Sequence, residues 1–174
     1  MRLILVSLLL VVATLPVSAQ WNKNGERAED APDRKVVGGF GVHLLVVEKP
    51  QEFIEEWKRP EMPKIRDTNK ATKGEYYGVI VLFAGCKPDQ LRTCNAEVDY
   101  TIYKPDGTFY AGRKDQPLWK SQAPPAQNIQ LGEAILAVRF EKSDPLGEYR
   151  VKARVRDLNA DVSIDLETKI QLKK

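Results

Sequence analysis

The last 27 residues, EYRVKARVRDLNADVSIDLETKIQLKK (residues 148–174), decide how this chain folds. In the first half Tyr149, Val151, Ala153 and Val155 alternate with Arg150, Lys152, Arg154 and Arg156. In the second half Val162, Ile164, Leu166, Thr168, Ile170 and Leu172 alternate with Ser163, Asp165, Glu167 and Lys169. A period of two with one apolar side belongs to strands that bury one face and wet the other. Folded back across the turn from Asp157 to Asp161, the two outer faces set a basic row beside a partly acidic one. Opposite charges directly across a sheet contribute about 0.2 to 1 kcal/mol per pair, so the basic row is expected to be a solvated sheet face.

The same reasoning extends upstream. AEVDYTIYKPDGTFYAG (residues 96–112) alternates Val98, Tyr100 and Ile102 with Glu97, Asp99 and Thr101, then turns at Lys104-Pro-Asp-Gly107, which predicts a hairpin. EYYGVIVLFAGC (residues 75–86) is apolar without interruption from Val79 to Phe83, as a strand covered on both faces must be. VVGGFGVHLLVVEK (residues 36–49) predicts a buried first strand, with the Gly38–Gly41 cluster as a bend or bulge on entry. In PQEFIEEWKRP (residues 50–60), Pro50 suits a first helical turn and Pro60 a stop. Phe53, Ile54 and Trp57 share one side, giving a short helix packed on the core. Residues 61–73 read as a loop with a peripheral strand edge. Residues 113–128, with three prolines and little periodicity, read as a long connection carrying Trp119 before the chain re-enters a strand at LGEAILAVRFE (residues 131–141).

The N-terminus carries different information. Arg2, an apolar run from Leu3 to Leu15 and small residues up to Ala19 form the pattern of a secretory signal peptide over residues 1–19. The run is too short for a membrane span, and no later segment is apolar enough to be one. Removing it leaves 174 − 19 = 155 residues and 27 − 1 = 26 basic against 24 acidic side chains, a formal charge of +2. Residues 20–35 are polar and charged and are expected to be a flexible tail; residues 36–174 form one domain. Near-neutral charge with both signs interspersed gives no footprint for nucleic acid.

Asp144-Pro-Leu-Gly-Glu-Tyr149 followed by Val-x-Ala-x-Val-x-Asp157, with YTIYKPDGTFYAG upstream, resembles the closing strands of immunoglobulin-like bacterial domains. GGFGVHLLVVEKPQEFIEEW, VDYTIYKPDG and DPLGEYRV together are similar to a group of secreted bacterial proteins of unassigned function. The resemblance implies an all-β, immunoglobulin-like antiparallel sandwich of about seven strands with one short helix. It also implies an envelope protein, and it carries over no catalytic residue.

Chemistry is scarce. Cys86 and Cys94, the two cysteines of the chain, have seven residues between them, including Pro88 and Asp89, too far for a C-x-x-C redox pair and too few for zinc. In an oxidising compartment they are expected to form a structural disulfide. His43 lies in an apolar run without a nucleophile motif nearby, and Glu55–Glu56 point to different sides of a helix. No catalytic residue, metal or cofactor is expected.

Trp119, Tyr103, Phe109 and Tyr110 are the candidate ligand contacts, although for Trp119 a plug at the end of the core is the favoured reading. The expected function is therefore a periplasmic or secreted non-enzymatic binding protein that meets a protein of the cell envelope through loops or a sheet edge. A carbohydrate-binding module using Trp119 and Tyr110 as sugar-stacking faces is the first alternative, and a hydrolase of unknown class the second.

Overall fold

A computed structural model describes residues 22–23, 26–27, 29–61 and 63–174. The expected signal peptide lies outside the described residues. Twelve strands and one helix follow in the order β1 (Asn22–Lys23), β2 (Glu26–Arg27), β3 (Arg34–Val37), β4 (Phe40–Glu48), α1 (Pro50–Trp57), β5 (Lys70–Thr72), β6 (Tyr76–Ala84), β7 (Ala96–Tyr103), β8 (Phe109–Trp119), β9 (Gln130–Leu131), β10 (Leu136–Arg139), β11 (Gly147–Asp157) and β12 (Val162–Lys173). Apart from the small β1–β2 pair they make two sheets. The first runs β10-β6-β4-β3 with β9 also on β6, and the second runs β5-β12-β11-β7-β8. This is the all-β, two-sheet, immunoglobulin-like sandwich with one short helix that the sequence predicts, but with ten strands in place of about seven, the short β3, β5 and β9 being the additions. Every pairing is antiparallel except the short β5 on β12.

In the second sheet the alternation of residues 148–174 becomes geometry. Tyr149, Val151, Ala153 and Val155 of β11 point inward beside Val98, Tyr100 and Ile102 of β7 and Ile164, Leu166, Ile170 and Leu172 of β12. They meet Phe40, Val42, Leu44, Val79, Val81 and Phe83 of the first sheet in one core. A fully buried side chain of this size contributes about 1.5 to 3 kcal/mol. Tyr149 also donates its hydroxyl hydrogen to the carbonyl of Pro145, four residues back, at 2.9 Å. That contact is the tyrosine corner found where immunoglobulin-like strands turn between sheets, and burial pushes the Tyr149 phenol up to about 12.

The first sheet is built differently, because both of its faces are covered. On β6, Tyr77, Val79, Val81 and Phe83 enter the main core, while Ile80 and Leu82 point to the other side. There they form a second apolar layer with Leu45, Val47 and Phe53, closed by Trp57, Ile129, Leu131 and Ile135. Helix α1 supplies Phe53 and Trp57, whose rings lie 5.8 Å apart. It can sit this close because Gly78 faces Pro50: a Cβ at Gly78 would come within 2.7 Å of the proline ring.

Three local expectations are corrected. The run from Val36 to Lys49 is two strands, since Gly38 and Gly39 both take positive φ, 58° and 88°, and turn the chain in a tight hairpin that pairs Val37 with Phe40. Two successive positive φ values are the geometry of a two-residue hairpin turn, which Gly-Gly adopts without strain. Strand β3 begins at Arg34, within the segment read as tail. Residues 113–119 are not a connection: β8 continues to Trp119 despite Pro117. The strand is the edge of its sheet, and an edge tolerates a residue that cannot donate to a ladder.

Candidate functional site

The outer face of the second sheet is left open to solvent, and its cross-strand rows can be followed from β8 to β12. At one end Phe109, Tyr103, Arg150 and Lys169 stand side by side. The next row is Gly112, Thr101, Lys152 and Glu167, followed by Asp99, Arg154 and Asp165, and then Glu97, Arg156 and Ser163. This surface is hollowed between β8 and the segment at Pro32–Lys35. Its centre is a hollow of about 590 Å3 floored by Asp99, Thr101, Tyr103, Lys152, Arg154 and Glu167. Lys114 of β8 borders it on one side, and Pro32 and Lys35 border it on the other. Pro32 is fixed there by accepting the Glu167 N–H at 2.8 Å.

Charge on this face is arranged in cross-strand pairs, as the sequence predicts. Arg154 Nε meets Asp165 Oδ1 at 2.7 Å, and Lys152 Nζ meets Glu167 Oε2 at 3.3 Å. Arg150 and Lys169 are directly opposed like charges; Lys169 turns to Glu148 at 2.8 Å, and the Arg150 guanidinium lies 5.7 Å from the centre of the Tyr103 ring. At the other end Arg156 donates to both oxygens of Asp99 at 2.6 and 3.0 Å and to Asp115 Oδ1 at 2.8 Å. Asp115 adopts a left-handed φ of 52° in an irregular stretch of β8, held by its own N–H on Asp99 at 2.7 Å. Glu97 takes Lys120 at 2.6 Å.

The electrostatic consequence is uniform. Hydrogen bonds from Arg156, Arg154 and Lys120 hold the carboxyls of Asp99, Asp165 and Glu97 below their ordinary values. A carboxyl that delivers a proton needs the opposite shift. Among the described residues no group of three or more His, Cys, Asp and Glu is placed to hold a metal ion.

The four aromatic candidates are not one surface. Tyr103 and Phe109 pair across β7 and β8 on the outer face, and Phe109 is 63% exposed. Tyr110 follows Phe109 but points inward: it stacks on Phe140 at 5.6 Å and donates to Asp144 Oδ2 at 2.6 Å. Burial and the Asp144 carboxylate raise its phenol. Trp119 lies at the far end of β8, about 30 Å along the strand from Tyr110, with its ring 5.5 Å from Phe83 and its Nε1–H donated to the Gln122 carbonyl at 3.0 Å. Tyr110 and Trp119 therefore cannot share one sugar.

Cys86 and Cys94 form the expected disulfide, with Cα atoms 6.0 Å apart, at the opposite end of the molecule from the Phe109 row. Two residues missed in the sequence hold that loop. The Asp157 carboxylate, 1% exposed, accepts the N–H groups of Lys87 at 2.7 Å, Asn159 at 3.1 Å and Ala160 at 3.2 Å. The Asn159 amide donates to the carbonyls of Lys87 and Thr93, both at 2.9 Å. Their signal was present: Asp157 continues the inward parity of Tyr149, Val151, Ala153 and Val155. His43 is half-buried on β4 with Nε2 3.6 Å from Asp33, and burial lowers its value.

No known protein family and no curated protein matches the chain. Solved structures resemble it in outline. A Niemann–Pick type C2 protein from Japanese carpenter ant is 14% identical with a TM-score of 0.38, over 60% of this chain and 79% of that one. The CARDB domain of a Pyrococcus furiosus protein is 10% identical with a TM-score of 0.40, over 84% and 99%. An immunoglobulin-like protein from Pseudomonas aeruginosa is 12% identical with a TM-score of 0.34, over 76% and 91%. No residue role is taken from them.

Proposed function

We propose that this chain is an exported, non-enzymatic binding protein that presents the outer face of its second sheet to an extended partner in the cell envelope. One observation carries the reading: of the two large sheet faces turned away from the core, one is sealed by α1 and the residues around Ile129 to Ile135, and the other, among the described residues, is open, with a hollow floored by cross-strand ion pairs. A pre-formed surface needs little ordering on binding, which favours recognition. Ionised, fully engaged carboxylates suit a binding surface better than an acid–base site. The disulfide fits an oxidising compartment, and no helix among the described residues is long and apolar enough to cross a membrane.

The test is capture from an envelope extract by the purified chain, by Thr101→Trp, which fills the hollow, and by Glu55→Lys on the helix. The native chain and Glu55→Lys are expected to retain the same partner, and Thr101→Trp to lose it. Equal capture by all three would move the site elsewhere, and no reproducible capture would remove the binding reading itself.

A further inference from the structure

The ion pairs on the open face leave a specific remainder. Its carboxylates Glu97, Asp99, Asp115, Glu148, Asp165 and Glu167 each have a basic partner within ion-pair distance. Three cations have no carboxylate within ion-pair distance among the described residues: Lys114 and Lys35, which act on Asp99 and Asp165 from farther off, and Arg150; the Lys35 Nζ donates to the Asp165 carbonyl at 2.7 Å. Lys114 and Lys35 border the hollow on opposite sides, and Arg150 stands at one end of it, in the same row as Tyr103 and Phe109. Surplus positive charge therefore flanks a polar floor that ends at two outward-facing rings.

We infer that this face binds an acidic polysaccharide, with one sugar ring on Phe109 and the carboxylates of neighbouring sugars on Arg150, Lys114 and Lys35. This rests on the binding face proposed above and names its occupant. Each element of the chemistry has a counterpart. The C–H side of a pyranose is weakly positive and matches the negative face of an aromatic ring. An arginine fork receives a carboxylate in two parallel hydrogen bonds, and Arg150 is already steadied by lying on Tyr103. Phe109, Tyr103 and Arg150 succeed one another at the spacing of adjacent strands, about 4.8 Å, close to what one sugar adds to a chain. The hollow is open, as a polymer lying across it requires. Nucleic acid suits it less, because successive bases stack on a series of aromatic side chains and this face offers Tyr103 and Phe109 at one end.

Retention on immobilised polygalacturonate and alginate, followed by titration calorimetry, tests the inference. Methyl-esterified polygalacturonate keeps the sugar and removes the charge, while polyphosphate keeps the charge and removes the sugar. At least one acidic polysaccharide is expected to bind, with both controls weaker by about tenfold or more, and Phe109→Ala to weaken it by about tenfold. Arg150→Ala and Lys114→Ala should each weaken it about threefold to tenfold. Leu91→Ala, 84% exposed in the distant disulfide loop, should change nothing.

The side chains of Phe109, Arg150 and Lys114 are exposed, so unchanged thermal melting will show that these variants fold. Polyphosphate binding equal to polygalacturonate and indifferent to Phe109→Ala would reduce the face to a general polyanion attractor. Equal binding of the methyl ester would remove the charge argument. Retention of neither acidic polysaccharide, with Thr101-dependent capture of an envelope protein intact, would overturn this inference alone. Loss of that capture as well would overturn the face.

Discussion

Strands β6 and β11 occupy equivalent places, each inside a five-stranded sheet, yet their sequences follow opposite rules. From Tyr77 to Ala84 every residue of β6 is buried, whereas β11 alternates buried Tyr149, Val151, Ala153 and Val155 with exposed or half-exposed basic residues. The difference comes from what lies on the outside. A helix and an apolar segment roof the first sheet, so the side chains of both parities must be apolar there. The second sheet has solvent for a roof, so one parity carries charge, and that charge must be balanced across strands. A sandwich can thus be read for its free surface from the alternation of its central strands alone.

Substitution at matched positions breaks or sharpens this contrast. Ile80 points away from the main core, as Lys152 does in the other sheet, but it is fully buried under α1. Ile80→Asp is expected to abolish cooperative folding, because an unpaired carboxylate there costs more than about 4 kcal/mol. Ile80→Ala should cost about 3 kcal/mol through the cavity it leaves, and Lys152→Ala less than about 0.5 kcal/mol. Urea unfolding of the three variants measures all of these. If Ile80→Asp were tolerated like Lys152→Ala, the roof over the first sheet would not exist in solution.

Legibility follows the same physics. Period-two patterns recover β7, β11 and β12 with their pairing, because register is set within one hairpin and one buried face. The continuous run recovers β6 as a doubly covered strand. Residues 113–119 are lost to the eye because bulges and Pro117 erase the period on an edge strand, where only one side needs a ladder. The open face is half legible: the basic row is visible at Arg150 to Arg156, and its neutralisation follows from the next strand. The grouping of Tyr103 with Phe109, and the separation of both from Tyr110 and Trp119, is not. It depends on the irregular pairing between Ile102 and Tyr103, which turns Phe109 out and Tyr110 in. One inserted residue reverses which aromatic is a surface.

Asp157 is the exception that sharpens the rule, since it occupies an inward position of β11 with a charged side chain. Three backbone N–H groups replace the water it loses, and they join the disulfide loop to the β11–β12 turn. Asp157→Ala leaves those donors unanswered and should cost about 3 kcal/mol. That is comparable with the roughly 2.5 kcal/mol that a cross-link closing a loop of this length contributes. Hydrogen exchange at Lys87 should accelerate in Asp157→Ala even with the disulfide intact. Unchanged protection would show that the covalent link alone holds the loop.

The smallest effect concerns the charged side of the contrast, and its sign is set by the carboxylates. Arg156 is enclosed by Asp99, Asp115 and Glu97, and the first two accept its hydrogen bonds. Because Arg156 holds Asp99 below its ordinary 3.8, that pairing stabilises the folded chain fully above about pH 4. The contribution disappears as pH falls through the lower folded value and Asp99 takes up its proton. Arg156→Gln, which keeps some hydrogen bonding and removes the charge, should therefore lose about 1 to 2 kcal/mol near neutrality, between the worth of an exposed pair and a buried one. The gap from the native chain should narrow as pH falls below the ordinary carboxylate range and Asp99 takes up its proton in the native chain as well. Lys152→Ala, whose partner Glu167 lies on the more exposed part of the same face, should show little gap at either pH. A gap for Arg156→Gln that persists undiminished in acid would mean that Arg156 stabilises by packing over β7, and that the open face is held by its shape more than by its charge.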